Sequence, residues 1–281
     1  MASVDAQHDF MRARRQATVA QVAARLRREP DDVRAILPYE EVIDALGFVS
    51  EHAAGAAVVS LDAIVGTVDR GRDFDRRFRP TSGNVRSRWE RIAAAMRRGE
   101  AMPAVDLLRI GEIYFVRDGH HRVSVARALG WNDINAYVTD VSTRVGAERT
   151  ITHADLPLKT HEREFFERVP IPDEARSEIS LSDPWLYATL AESVEAWGFR
   201  TSQERGEAIT RREVAFLWLE NEYRPVIEML REVDLLGAGT ATEAYMHVNA
   251  DRYWLMRTDR WDEEVIRRVT EGGSRRGRRR R

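Results

Sequence analysis

The residues best placed for chemistry are Asp118-Gly119-His120-His121-Arg122. An apolar stretch, Ile113 to Val116, runs into the Asp118-Gly119 turn, and a helical stretch follows that Gly130 stops. A strand, a tight turn and a helix in that order aim unpaired backbone N–H groups at one point, backed by the positive end of the helix dipole. Arg122 adds a fork matched to phosphate, and an arginine in the first turn opposes the dipole unless an anion sits there. The pattern therefore predicts a phosphate or nucleotide cradle. Imidazole titrates near pH 6.5, so His120 or His121 suits a general base or a phosphate donor. The bland reading, weighted equally, packs His121 under the helix and leaves only His120 at the site. Asp118 has a turn-forming and helix-capping reading beside a functional one. Adjacent histidines rarely satisfy one tetrahedral metal site, and the chain has no HExxH spacing. A Mg²⁺ ion carried in by phosphates is the better expectation, with Asp118 or a carboxylate in 62–75 as its ligand.

The elements around this motif read as one α+β block over 57–143. Residues 56–68 suggest a strand and a turn, and Asp69 to Arg79 a loop of alternating charge. Residues 84–98 suggest a helix with Val85, Trp89, Ile92 and Met96 on one face and Gly99 as its stop. Strands over 104–110 and 113–117 flank the hairpin turn at Gly111-Glu112, the motif helix covers 120–129, and a strand over 134–141 closes the block. Ahead of it, 1–56 reads as a helical arm, with Met11, Val19, Val22, Ala23 and Leu26 at helical spacing. A faint helix-turn-helix over Thr18 to Ile36 lacks the usual turn glycine, so an ordinary helix is favoured. Residues 144–182, with Pro157, Pro170 and Pro172, read as a linker.

From 183 to 270 the pattern is all-helical. Asp183 caps a helix that Gly198 ends, Thr210 and Glu213 form a capping box, Pro225 breaks or kinks the next helix, and Thr242 opens another. Trp261-Asp262 starts a last short helix. The aromatic load (Trp185, Trp197, Trp218, Tyr223, Tyr245, Tyr253, Trp254, Trp261) reads as a bundle core rather than a base-stacking surface.

Composition narrows the chemistry. The 281 residues contain no cysteine, which removes thiol catalysis, thiolate metal sites and disulfides. Lys159 is the single lysine among 44 basic residues, and no phosphate-loop lysine pattern surrounds it. No apolar run is long enough for a membrane span and no secretory h-region is present, so no membrane partner and a cytoplasmic location are expected. The net charge is −2, yet six arginines fall within 275–281, so an acidic body carries a basic tail, read as 271–281 and disordered. A nucleic-acid contact through that tail and a merely solvated terminal run are weighted equally.

In order and in motif, residues 57–143 resemble the ParB N-terminal/sulfiredoxin-like domain. Val59-Ser-Leu-Asp-Ala-Ile-Val-Gly66 resembles the family's opening strand and turn. Asp69-Arg-Gly-Arg72 followed by Phe74 stands where ParB proteins carry Q-P-R and Phe, and the helix 85–98 matches the next element. Asp118-Gly-His-His-Arg122 stands where ParB carries G-E-R-R and sulfiredoxin G-C-H-R. The resemblance implies an α+β fold that binds CTP or ATP with Mg²⁺; the helical pattern over 183–270 adds an all-α domain after it. The resemblance assigns Gly119, His120, His121 and Arg122 to the phosphates and Arg72 to a second phosphate contact. His120 replaces sulfiredoxin's cysteine, which excludes that activity, and ParB's glutamate. Ser124 replaces the last arginine of ParB's motif, and ParB's helix-turn-helix is not recognisable after 143. The stretch from Trp218 through Pro225 and Thr242 to Met246 resembles a helical module of unknown function in bacterial proteins of this kind. The function expected from all this is a bacterial-type nucleotide-binding regulator or adaptor, DNA-associated through its tail or homodimeric. The alternatives are a small-molecule kinase or weak NTPase, with Asp62, Asp69 or Asp73 as its carboxylate, and a ParB-like nuclease, for which the sequence shows no convincing carboxylate cluster.

Overall fold

A computed structural model describes residues 4–28, 35–69 and 71–256, and the side chains up to 252. The chain forms two compact units, Met1–Thr160 and His161–Arg281. The fold is α+β: the first unit is built on a mixed sheet and the second is helical. Among the described residues no helix is long and apolar enough to cross a membrane. The Arg-rich tail, Trp261-Asp262 and the Tyr253 and Trp254 side chains lie outside what is described.

The first unit opens with helix α1 (Val4–Arg27). Then come β1 (Leu37–Pro38), α2 (Tyr39–Leu46), β2 (Phe48–Ser60), a 3₁₀ turn (Leu61–Ala63) and β3 (Ile64–Thr67). Helix α3 (Arg86–Arg97) leads to the β4 (Val105–Ile110) and β5 (Ile113–Asp118) hairpin. Helix α4 (His120–Ala128) and β6 (Asp133–Thr143) complete the sheet, whose order is β1-β3-β5-β4-β6-β2. Strands β4 and β5 run antiparallel, whereas β3 lies parallel to β5 and β4 parallel to β6. Helix α4 therefore leaves the end of a central strand. Its Val123 and Ala126 pack with Val105, Leu107 and Val116 from the sheet, while Val125 faces α1 and α3. Gly66 lets β1, β3 and β5 close up, because a Cβ there would overlap Phe115 and the Leu37 carbonyl.

The N-terminal region differs from the expected arm. Helix α1 packs on α3 through Phe10 and Trp89, edge to face at 5.5 Å. Its buried face is Ala6, Phe10, Ala13, Ala17 and Ala24; Met11, Val19, Val22 and Leu26, expected to face the core, are exposed. Alanines permit a close helix contact that the larger side chains would hold apart. Residues 18–27, the first half of the faint helix-turn-helix, simply continue α1. The sheet also starts earlier than expected: β1 adds Leu37–Pro38 beside β3, and β2 pairs with β6 from Phe48 to Ser60 around a bulge at Ala53/Gly55.

Residues 144–182 are structured rather than a linker. They carry the whole of α5 (Leu156–Arg168), which straddles the unit boundary, and short 3₁₀ turns at His153–Asp155 and Asp173–Glu178. Val145 and Ile151 are buried in the first unit, and Phe165, Phe166, Val169 and Ile171 in the second. In the second unit α6 spans Pro184–Arg205, with Asp183 accepting from the Trp185 N–H at 3.0 Å. It runs past Gly198 and stops at Gly206. Gly198 is a contact point, since a Cβ there would collide with Val214.

The Thr210/Glu213 capping box opens α7 (Arg211–Trp218). A five-residue π-turn (Leu219–Tyr223) joins it to α8 (Arg224–Glu232), with Pro225 just after the π-turn. Helix α9 (Ala241–Met256) is capped by Thr240 and Glu243 rather than by Thr242. Thr242 is buried and bonded to Tyr223. Trp218, Tyr223 and Tyr245 form the expected aromatic core, while Trp185 is 72% exposed.

Candidate functional site

The turn between β5 and α4 requires its glycine. Gly119 has φ of 103°, and a Cβ there would lie 2.6 Å from Val105 Cγ1 and 2.9 Å from its Cβ. The left-handed residue turns the chain so that α4 begins at His120, and no side chain caps that helix start. Val123 N–H to the Gly119 carbonyl, 3.0 Å, closes the first turn, so the N–H groups at the head of α4 lie ahead of the intrahelical ladder.

Both histidines are buried at this head and both line its cleft. His120 Nε2 lies 2.6 Å from the Thr67 hydroxyl and 3.6 Å from Asp69 Oδ1, and its ring stacks on Phe74 at 6.5 Å between centroids. His121 meets the same phenylalanine edge to face at 5.6 Å. The end of β3 and the loop after it therefore fix the first histidine, and one aromatic ring positions both. His121 is packed against Phe74, as the bland reading has it, yet it also lines the cleft.

Arg122 departs most from expectation. Its Nη1 donates to the carbonyls of Pro103 and Ala104 at 2.6 and 2.7 Å, and its Nη2 donates to Asp118 Oδ2 at 2.6 Å. The fork expected to hold phosphate instead ties the head of α4 to the entry of β4. The carbonyls and the carboxylate supply the negative partners that offset an arginine in a first helical turn. Asp118 consequently neither caps α4 nor stands free for a metal. Among the described residues no three His, Asp or Glu side chains cluster closely enough to hold a metal ion.

Two arginines that the motif does not contain stand at the cleft instead. Arg117, the penultimate residue of β5, is paired with Asp106 through two 3.0 Å bonds. Arg88, exposed on α3, makes no ion pair among the described residues. Trp89 brings α3 here: its indole N–H donates to the Ser124 hydroxyl of α4 at 2.8 Å, both groups buried. A serine at position 124 thus has a packing reason. Asp69 also lines the cleft, which encloses about 70 Å³.

Arg72 is not brought to this place; it lines another cleft, with Thr18, Gln21 and Thr81. Of the other candidate carboxylates, Asp62 lines a third cleft and Asp73 accepts from Ser82 at 3.3 Å. Arg88 carries no local signal in the sequence, because the fold delivers it from 30 residues upstream of the motif.

No protein-family model matches the chain, and no curated protein matches it. Among solved structures, a sulfiredoxin from Arabidopsis thaliana is 16% identical over 31% of this chain and 86% of its own, with a TM-score of 0.25. A Pnob8-like ParB-N domain is 14% identical over 83% of this chain and 98% of its own, with a TM-score of 0.22. At these scores neither likeness bears on function, and the site stands on its own geometry: an uncapped helix head behind a left-handed glycine, with two buried histidines and two arginines from outside the motif at its cleft.

Proposed function

We propose that the chain binds the phosphates of a nucleoside triphosphate, CTP or ATP with Mg²⁺, at the head of α4 and acts as a nucleotide-responsive regulator or adaptor. The observation that carries this is the uncapped start of α4 behind Gly119, flanked by Arg88 and Arg117. The cleft's 70 Å³ is far below the roughly 300–1,000 Å³ of pockets that enclose a whole ligand. It suits a phosphate group, with sugar and base over the rim. In this reading the N–H groups of α4 donate to the phosphate, Arg88 supplies unspent charge, and Thr67 holds the His120 ring beside it. Mg²⁺ would arrive with the nucleotide and take few protein ligands, with Asp69 the cleft carboxylate that makes no arginine pair among the described residues. The ParB/sulfiredoxin-like order of motifs supports the same ligand class.

Titration calorimetry with CTP, ATP, ADP and GTP in Mg²⁺ tests the proposal. The expected result is micromolar binding of one nucleotide, weakened at least tenfold in Arg88→Ala. No heat from any of them at millimolar concentration overturns it.

A second reading, phosphate transfer or hydrolysis, is favoured by one contact. Of the three candidate carboxylates, only Asp69 stands beside a histidine of the site, at 3.6 Å from His120 Nε2. Phosphate release that disappears in Asp69→Asn while nucleotide binding persists would support it. Release unchanged in that variant would dismiss it. The DNA-associated form of the regulator rests on the 275–281 tail, and deleting the tail should flatten the salt dependence of any DNA affinity.

A further inference from the structure

The opposite end of α4 opens on a larger cleft, about 660 Å³, lined by Asp62, Arg77, Arg79, Arg127, Trp131 and Asn132 among others. That volume falls within the range of pockets that take a whole small ligand. Its chemistry is cationic and aromatic, and its cations are unevenly satisfied. Arg79 is paired with Asp75 at 2.7 Å. Arg77 is exposed and makes no ion pair among the described residues. Arg127 is the telling residue. Its Nη2 donates to the carbonyls of Leu61 and Ile64, and its guanidinium lies over the Phe78 ring at 5.5 Å. Its Nε is buried with no hydrogen-bond partner among the described residues. Burial pushes this guanidinium's pKa down; Asp62 and Asp75 pull it back up, and the like charge of Arg77 pushes it down again.

A half-buried cation that meets two carbonyls and a ring face but makes no ion pair among the described residues, beside a second cation, is an incomplete arrangement. An anion between Arg77 and Arg127 completes it. Trp131, 44% exposed at the rim, offers a ring face for a planar group, and Asn132 and Asp62 offer an amide and a carboxylate for the edge of a heterocycle. We propose that this cleft is a binding site for a nucleoside monophosphate, with its phosphate on Arg77 and Arg127 and its base on Trp131. The site is independent of the one at the head of α4, nine residues or about 13 Å of helix away.

Calorimetric titration of the full chain with AMP, CMP and inorganic phosphate tests it, using Arg77→Ala and Trp131→Ala, both surface changes, with circular dichroism to confirm folding. One of the two nucleotides should bind below millimolar, and inorganic phosphate at least tenfold more weakly. Trp131→Ala should bring the nucleotide to the phosphate level, Arg77→Ala should weaken both, and Arg88→Ala should leave both unchanged. A short single-stranded oligonucleotide binding more tightly than the monophosphate, with the same response to Arg77→Ala and Trp131→Ala, would identify a nucleic-acid strand as the source of the same groups. The proposal is overturned if neither nucleotide binds at millimolar concentration, if binding survives both cleft substitutions, or if Arg88→Ala abolishes it. In the last case the ligand belongs to the other cleft, and the two proposals separate cleanly.

Discussion

The two units join their buried polar groups differently. The helical unit links several of them in one aromatic cluster. Trp218 Nε1 donates to the Tyr245 hydroxyl at 3.1 Å, and the Tyr223 hydroxyl reaches the Glu178 carbonyl at 2.9 Å and Thr242 at 2.8 Å. Arg252 and Glu222, both buried, pair at 3.1 Å. Burial raises the pKa of the Tyr245 and Tyr187 phenols, so neither titrates near neutrality. The sheet unit instead uses separate pairs, Trp89 with Ser124 and Thr67 with His120, and carries Arg88 at one end of α4 and Arg77 and Arg127 at the other. Satisfied buried polar groups make a specific core. The difference separates one connected buried network from several local pairs.

The largest test of that contrast is Trp218→Ala. Emptying a fully buried indole and stranding the Tyr245 hydroxyl should cost the helical unit about 3–5 kcal/mol. Denaturation should then show a separate early transition, with the sheet unit's transition unmoved. Gly119→Ala comes next: a left-handed φ and a collision with Val105 should cost the sheet unit roughly 2–4 kcal/mol. Nucleotide binding at the head of α4 should fall with it. Gly198→Ala has a sign worth measuring. Alanine would ordinarily gain about 1 kcal/mol in a helix, yet the overlap with Val214 should reverse this to a net loss of roughly 1–2 kcal/mol. Adding Val214→Ala should recover much of it.

Tyr223→Phe removes bonds to the Glu178 carbonyl and Thr242 and should cost about 1–2 kcal/mol by urea denaturation. The smallest effect is on pH. Bonds from Arg224 hold the Glu178 carboxyl below its ordinary 4.5. A depressed folded value means the stabilisation is present above pH 4.5 and is lost as pH falls through the lower folded value. Both side chains are partly exposed, so solvent screening keeps the effect below about 1 kcal/mol. Arg224→Gln should remove that part of the acid sensitivity.

What the sequence disclosed was local. The hairpin at Gly111-Glu112, the Gly119 turn, the start of α6 at Asp183 and the Thr210/Glu213 box each depend on neighbours a few residues apart, and each stands where the sequence puts it. What it concealed was set by distant partners. His52 to Gly55, two alanines between a histidine and a glycine, has little strand preference, and β2 exists there because β6 pairs with it. Gly198 looked like a helix stop because its packing partner, Val214, is 16 residues away. The site divides the same way. Gly119, His120 and His121 were legible; Arg122 was misjudged because its carbonyl partners lie 18 and 19 residues back, and Arg88 was invisible because α3 delivers it.

The π-turn at Leu219–Tyr223 gives this region a sensitivity to length rather than to composition. A π-turn is one residue more than an α-helix needs, and each helical residue rotates the downstream chain by about 100°. Deleting a single residue there would remove the extra residue of the π-turn and would swing Val226, Ile227 and Leu230 away from the core they now fill. Point changes on the exposed side of this segment should be absorbed, whereas a one-codon deletion should not. A deletion scan would therefore find a sharp intolerance here that a substitution scan overlooks.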